Sequence, residues 1–201
     1  MSRYCNLDIF ISLLQMPKET YIPSLLHLFR QYGYDGATLS KISEATGLGK
    51  ASLYHHFPGG KDEMVETVLD YLDRWMEQNI LHRLQGEGSP IARLQQMCDR
   101  LSEVYEGGKQ PCLSAILLLG SARGVFHQRV QDLYGDWIDA IAAVLIDAGS
   151  DPALAQQRGE NAVIAIQGAL ILAQGLNDPA PFQRVMQQLP QQLCNDLSPA
   201  T

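Results

Sequence analysis

His55 and His56 are adjacent, and four cysteines stand at positions 5, 98, 112 and 194. Neighbouring side chains on a helix point about 100° apart, so the histidine pair chelates a metal poorly. The cysteines are too widely spaced, with no Cys-x-x-Cys, for a zinc ribbon, a redox pair or a dense disulfide framework. There is no Glu-x-x-His pair for a di-iron bundle, no Gly-rich phosphate loop, and no local Ser or Cys nucleophile motif. The expectation is therefore a protein that is not an enzyme, with no metal and no cofactor. What remains is a cluster of small and hydrogen-bonding side chains: Lys50, Ala51, Ser52, Tyr54, His55 and His56, read as facing outward or partly outward. Groups of this kind at the start of a short helix suit the edges of bases, with phosphates nearby.

The elements that must position this cluster are helical. Ile22, Leu25, Leu26, Phe29 and Tyr32 fall on one helix face, and Gly33 is a natural stop. Thr38 reads as the N-cap of a short helix over 39–45 with Leu39, Ile42 and Ala45 inward. Thr46-Gly47-Leu48-Gly49 breaks it, Gly47 supplying the positive φ of a sharp turn. A third helix follows over 50–57, ended by Pro58-Gly59-Gly60. Two short helices joined by a four-residue glycine turn are the layout of a helix-turn-helix. Leu39, Ile42, Leu48, Leu53 and Phe57 form the small core expected to fix the crossing angle.

Further on, an amphipathic helix starts near Lys61 with Val65, Val68, Leu69, Leu72, Trp75, Met76 and Ile80 as its stripe. Ser89-Pro90 opens a helix to about 106, and others are expected over 111–121, 126–148, 152–175 (capped by Asp151) and 181–193, the last interrupted by Pro190. No alternating strand pattern and no internal repeat is present. The fold class is all-α: a three-helix unit over 18–64 carrying the helix-turn-helix, then a helical unit over 65–201.

Composition is compatible with this. The chain has 201 residues, 46% apolar and 18% charged, enough for one large domain or two small ones and too apolar for a wholly disordered chain. No uninterrupted apolar run reaches spanning length; the most apolar stretch, from Ala162 to Ala173, is broken by Gln167 and Gly168. The stretch from Leu7 to Leu14 contains Asp8, follows only Arg3 and has no small-residue cleavage site, so no signal peptide is read. A cytoplasmic protein is expected. The net charge of −7 looks wrong for a nucleic-acid binder, but the charge is uneven. Over 18–61, Lys18, Arg30, Lys41, Lys50 and Lys61 outnumber Glu19, Asp35 and Glu44; over 62–77, six carboxylates face Arg74 alone.

The segment from Leu28-Phe29-Arg30-Gln31-Tyr32-Gly33 through Thr38 and on to Leu53-Tyr54-His55-His56-Phe57 resembles the DNA-binding domain of the TetR-type transcriptional regulators. Pro58-Gly59-Gly60-Lys61-Asp62-Glu63-Met64 is similar to the version in the LmrA/YxaF-like branch. The resemblance covers about residues 18 to 65. It implies a homodimer on a near-palindromic operator, usually a repressor released by a small molecule. It also implies that 18–64 is the DNA-binding domain and 65–201 the helical effector-binding and dimerisation domain. Carried over by position, Thr38, Lys50, Ser52, Tyr54, His55 and Lys61 face DNA. Thr38 presents a hydroxyl and a helix N-terminus to a phosphate, Lys50 a base or phosphate contact, and Tyr54 and His55 backbone contacts. Lys41 is read as a solvated charge or a phosphate contact. Residues 1–16 carry only Arg3 as a basic residue, a departure from the family's usual basic arm, so contacts to DNA from that segment are not expected.

In the C-terminal unit, Tyr105, Leu113, Ile116, Leu117, Leu118, Trp137, Ile138, Ile141 and Ile166 are candidates to line an apolar effector cavity, or are plain core. Cys112, at a helix start, is a candidate effector-site residue or redox sensor, or a buried structural thiol. Arg123 and His127 are anion anchors or solvated charges. With few polar groups to converge on a ligand, the effector is expected to be mostly apolar. Ala165, Gly168, Ala169 and Leu172 on the penultimate helix, with the last helix, are the candidate dimer interface, since small residues let helices approach closely. A helical interaction module or small-molecule carrier without DNA binding is the alternative, and activation instead of repression stays open.

Overall fold

The computed structural model describes residues 17–195, so Arg3, Cys5, the stretch from Leu7 to Leu14 and the last six residues lie outside the described residues. Among the described residues the elements are helical and no strand occurs. After a 3-10 turn, Lys18–Tyr21, come α1 (Ile22–Gly36), α2 (Leu39–Thr46), α3 (Lys50–His56) and α4 (Gly60–Met76). The chain then continues through a π-helical turn, Glu77–Leu81, and a short α turn, His82–Leu84. Next are α5 (Pro90–Val104), α6 (Leu113–Leu117), α7 (Arg123–Asp147), α8 (Pro152–Leu176) and α9 (Ala180–Cys194).

The caps follow from side-chain chemistry. The Thr38 hydroxyl accepts the Lys41 N–H at 3.4 Å, Ser89 accepts from Ala92 at 3.4 Å, and Asp151 accepts from Ala153 and Leu154 at 3.0 and 3.2 Å. Gly33 leaves helical geometry at φ 65°, ψ −177°, and ends the regular part of α1. Three boundaries differ from expectation. The helix expected over 111–121 is only the five-residue α6, because Leu119 turns extended and Gly120 takes φ 72°. The next helix, α7, starts at Arg123 rather than 126. Pro190 does not interrupt α9; it is buried with Met186, Leu189 and Leu193, and that packing offsets the one backbone bond that proline cannot donate.

Two apolar cores organise the chain, and they do not divide at residue 64. The N-terminal core joins Leu25, Phe29, Ile42, Leu48, Leu53 and Phe57 to Met64, Val65, Val68 and Leu69 of α4. It also takes in Leu113 and Leu117 of α6, with Ala122 and Phe126 beside the start of α7. The second core gathers α5, α7, α8 and α9 around Trp137, Ile141, Leu145, Ile166 and Phe182. Close approach of α7 and α8 is set at Gly159, where an added Cβ would lie 2.8 Å from the Ile138 carbonyl oxygen.

Candidate nucleic-acid interface and adjoining cavity

The turn between α2 and α3 is held by its own side chains. Gly47 takes φ 72°. The Thr46 hydroxyl donates to the Ile42 carbonyl at 2.7 Å and accepts the Leu48 N–H at 3.3 Å, while Ser43 donates to the Leu48 carbonyl at 2.5 Å. Leu48, Leu53 and Phe57 then anchor α3 to the core. At about 100° per residue, positions 50, 51, 54 and 55 occupy one arc of about 140°, and 52, 53 and 56 occupy the opposite one. The structure obeys that arithmetic: Lys50, Ala51, Tyr54 and His55 are exposed, Tyr54 by 43%. Ser52 is 2% and His56 6% exposed. The expectation that Ser52 and His56 face outward is corrected: a seven-residue helix with Leu53 inward carries both neighbours on that side inward too. The buried His56 ring lies 5.2 Å from that of Tyr21.

Thr38 is exposed at the start of α2, its hydroxyl engaged as a cap acceptor and still able to donate. Two lysines are partly committed inside the fold. Lys61 donates to the Tyr34 carbonyl at 2.8 Å and sits 4.2 Å above the Tyr34 ring. Lys41 donates to the Gly36 carbonyl at 3.3 Å and sits 3.6 Å above Tyr32. Among the described residues no group of three His, Cys, Asp or Glu is placed to hold a metal ion.

Polar ties join this unit to the helices behind it. The Asp35 carboxylate accepts both the hydroxyl and, at 3.2 Å, the N–H of Ser121, and these bonds hold it below its ordinary pKa. Arg129 of α7 donates to Asp73 at 3.0 and 2.6 Å and to Asp70 at 2.5 Å, both on α4. The Tyr34 hydroxyl donates to Asp62, and that bond, with burial, pushes the phenol up to about 12.

A cavity lies where the two cores meet. Its inner recess, 30 Å³, is walled in part by Tyr105, Cys112, Leu113 and Trp137 of the expected set. Ile116 lines an adjoining apolar groove of 300 Å³, which shares Cys112 and Gln167 with the recess. Leu117 does not line either space; it is fully buried in the N-terminal core, because α6 is short and turns its last residue that way. Ile141 and Ile166 are also fully buried, in the second core away from both spaces. Arg123 and His127 are exposed and line neither. Sequence reasoning missed Arg30, Tyr134 and Gln167, which also line the recess. For Arg30 the local pattern carries no signal. For Gln167 it does, as the polar break in the most apolar stretch.

On α8 the apolar surface is offset from the expected stripe. Gly168 is exposed, with nothing within 4 Å of an added Cβ, and Leu172 is 50% exposed. Ala165 is half-buried. Ala169, 7% exposed, is corrected: it packs into the second core against its own chain. The exposed partners of Gly168 are Ile164, Ile171 and Leu176, at 66, 67 and 59%. No helix among the described residues is long and apolar enough to cross a membrane.

Against known proteins, residues 25–68 match the bacterial regulatory proteins of the tetR family. Residues 90–188 match the C-terminal domain of LmrA/YxaF-like transcriptional regulators. The HTH-type transcriptional regulator LmrA of Bacillus subtilis (strain 168) is 24% identical over 179 residues, which cover 86% of this chain and 94% of LmrA. IcaR of Staphylococcus aureus (strain Newman), an HTH-type negative transcriptional regulator of a biofilm operon, is 37% identical over 65 residues, 31% of this chain and 35% of IcaR. The TetR family regulator CifR, solved as a cysteine mutant with 26-base-pair double-strand operator DNA, shares the fold with a TM-score of 0.73 at 16% identity, over 88% of this chain and 97% of CifR.

Proposed function

Because the chain belongs to the tetR family of bacterial regulatory proteins, in its LmrA/YxaF-like branch, we propose that it is a ligand-responsive repressor acting in the cytoplasm. It binds a near-palindromic operator as a homodimer and is released by a small molecule. The observation that carries the reading is the outward arc of α3: Lys50, Ala51, Tyr54 and His55 stand clear of the fold while Leu53 and Phe57 fix the helix behind them. Such a helix enters a major groove with its first turns against the base edges, and Lys50 and the Thr38 hydroxyl meet flanking phosphates. Repression then needs only occupancy of a promoter, a reading supported by the likeness over 65 residues to the negative regulator IcaR.

Release follows from the shared core. Leu113, Leu117 and Phe126 are packed among residues of α1 and α4, so a ligand that shifts α6 shifts the seat of α3. Operator half-sites lie about 34–36 Å apart, and a tilt of α4 spoils that register. The ligand needs only to prefer the tilted conformation, by about 1–3 kcal/mol for a roughly 5–150-fold loss of operator affinity. The test is a mobility shift on DNA upstream of the protein's own gene with a salt titration. Retention that weakens steeply with salt is expected. A folded protein that retains no such fragment refutes the reading and favours the carrier or interaction module.

A further inference from the structure

We propose that the cavity takes a small amphipathic acid, its carboxylate held by Arg30 and Gln167 in the inner recess and its apolar body in the outer groove. This deepens the effector reading above and rests on it in treating the cavity as a ligand site.

Arg30 belongs to α1 of the DNA-binding unit, yet its side chain lines a recess walled mainly by α4 to α8. Its Nε is fully buried without a hydrogen-bond partner, and no ion pair to it occurs among the described residues. Glu106 and Tyr71 act on it only through space. A guanidinium keeps its charge at any ordinary pH, so it sits partly desolvated with no carboxylate in direct contact, Glu106 acting only at a distance. Gln167 lines the same recess, and both its amide atoms are buried and unpaired. The Tyr134 hydroxyl lies 4.0 Å from the Cys112 sulfur, and Tyr105 lines the same recess. Burial raises both phenols, which keeps their hydroxyls protonated as donors.

A wholly apolar ligand sealing this recess leaves Arg30 and Gln167 unsatisfied. A carboxylate accepts from both, and its plane matches the guanidinium fork. The recess, 30 Å³, has room for one or two water-sized groups, which fits a carboxylate better than a tetrahedral phosphate. The outer groove is ten times larger and walled chiefly by Pro111, Ala115, Ile116, Leu119, Leu170 and Ile171. Its shared wall at Cys112 and Gln167 places head and body in one molecule. Because Arg30 lies on α1, the acid touches the DNA-binding unit directly, which supplies the differential contact that release requires.

The test is calorimetry on the full chain with hexanoate, octanoate, decanoate and naphthoate, each against its alcohol, near neutral pH. The straight-chain and aromatic arms distinguish the kind of body. At least one acid is expected to bind about tenfold or more tightly than its alcohol, the value of one charge-assisted hydrogen bond. Arg30→Met should erase that preference and Arg30→Lys keep part of it. Since Arg30 makes no hydrogen bond to lose, Arg30→Met should melt no lower than the parent. Equal binding of acids and alcohols, no binding of any acid, a preference surviving in Arg30→Met, or a lowered melting point in that variant each overturns the proposal. A mobility shift on the same preparations separates the two readings. Operator binding without acid binding sinks this inference alone, and acid preference without operator binding sinks the repressor.

Discussion

Ile164→Glu tests the proposed homodimer most directly. Ile164 projects from α8 two-thirds exposed, one turn from Gly168 and two from Ile171. Full burial of an isoleucine side chain contributes about 1.5–3 kcal/mol, so covering the exposed two-thirds contributes about 1–2. A twofold interface uses the residue twice, which makes about 2–4 kcal/mol per dimer. The dimer dissociation constant should therefore rise about 30- to 1000-fold, before any like-charge repulsion across the axis. Ile171 is a poorer choice because it also walls the groove. In the single chain Ile164 supports little, so helix content and melting of the dissociated protein should stay near the parent's. Sedimentation over a concentration series reads the constant, and a mobility shift should show operator binding weakening in step. A parent that sediments as a monomer at micromolar concentration, or a variant whose dimer constant is unmoved, refutes the assignment of α8 as the interface.

Lys50→Ala should weaken operator binding and, if the ammonium meets one phosphate, flatten the log-log salt slope by about 0.9, whereas Ser52→Ala should leave that slope unchanged because Ser52 faces the core; salt titration of a mobility shift checks both. Two glycines of α8 should respond with opposite sign in thermal melts. Gly159→Ala drives a Cβ against the Ile138 carbonyl and should cost about 1–3 kcal/mol, while Gly168→Ala meets open space in the single chain and should stabilise it by about 0.5–1 kcal/mol. Tyr34 is raised to about 12 by its bond to Asp62, so its contribution is complete below its ordinary value near 10 and is lost as pH climbs through about 12. Tyr34→Phe should flatten the alkaline loss of stability over that window, measured by denaturant unfolding at several pH values.

The parts of this molecule that local chemistry determines are legible in the amino-acid sequence alone. Thr38, Ser89 and Asp151 are caps because a short oxygen-bearing side chain ahead of an apolar period satisfies free N–H groups wherever the segment sits. The inward face of α3 is legible too, and placing Ser52 outward weighs side-chain type above position. A serine on the same arc as Leu53 and His56 turns inward whatever its polarity, while Tyr54 on the other side of Leu53 turns out. Leu117 and Ala169 escape for a different reason. Both lie in apolar stretches where every position looks like core, and only the crossing of α6 with α1, or of α8 with its neighbours, decides which core receives them.

Arg30 and Gln167 lie beyond what local pattern can place. Arg30 stands next to Phe29 on α1, where a charge at the edge of an apolar face ordinarily reaches water. It lines the recess because α4, the α6 segment and α7 close around it, residues more than 40 positions away that no local period encodes. Gln167 is the converse. It interrupts the most apolar stretch of the chain, and an amide there costs about 1–3 kcal/mol when left unbonded. Plain core packing has no use for that cost, since leucine would fill the space. Two such groups lining one recess, from helices on either side of the junction between the two cores, are satisfied together by a ligand that ends in an anion.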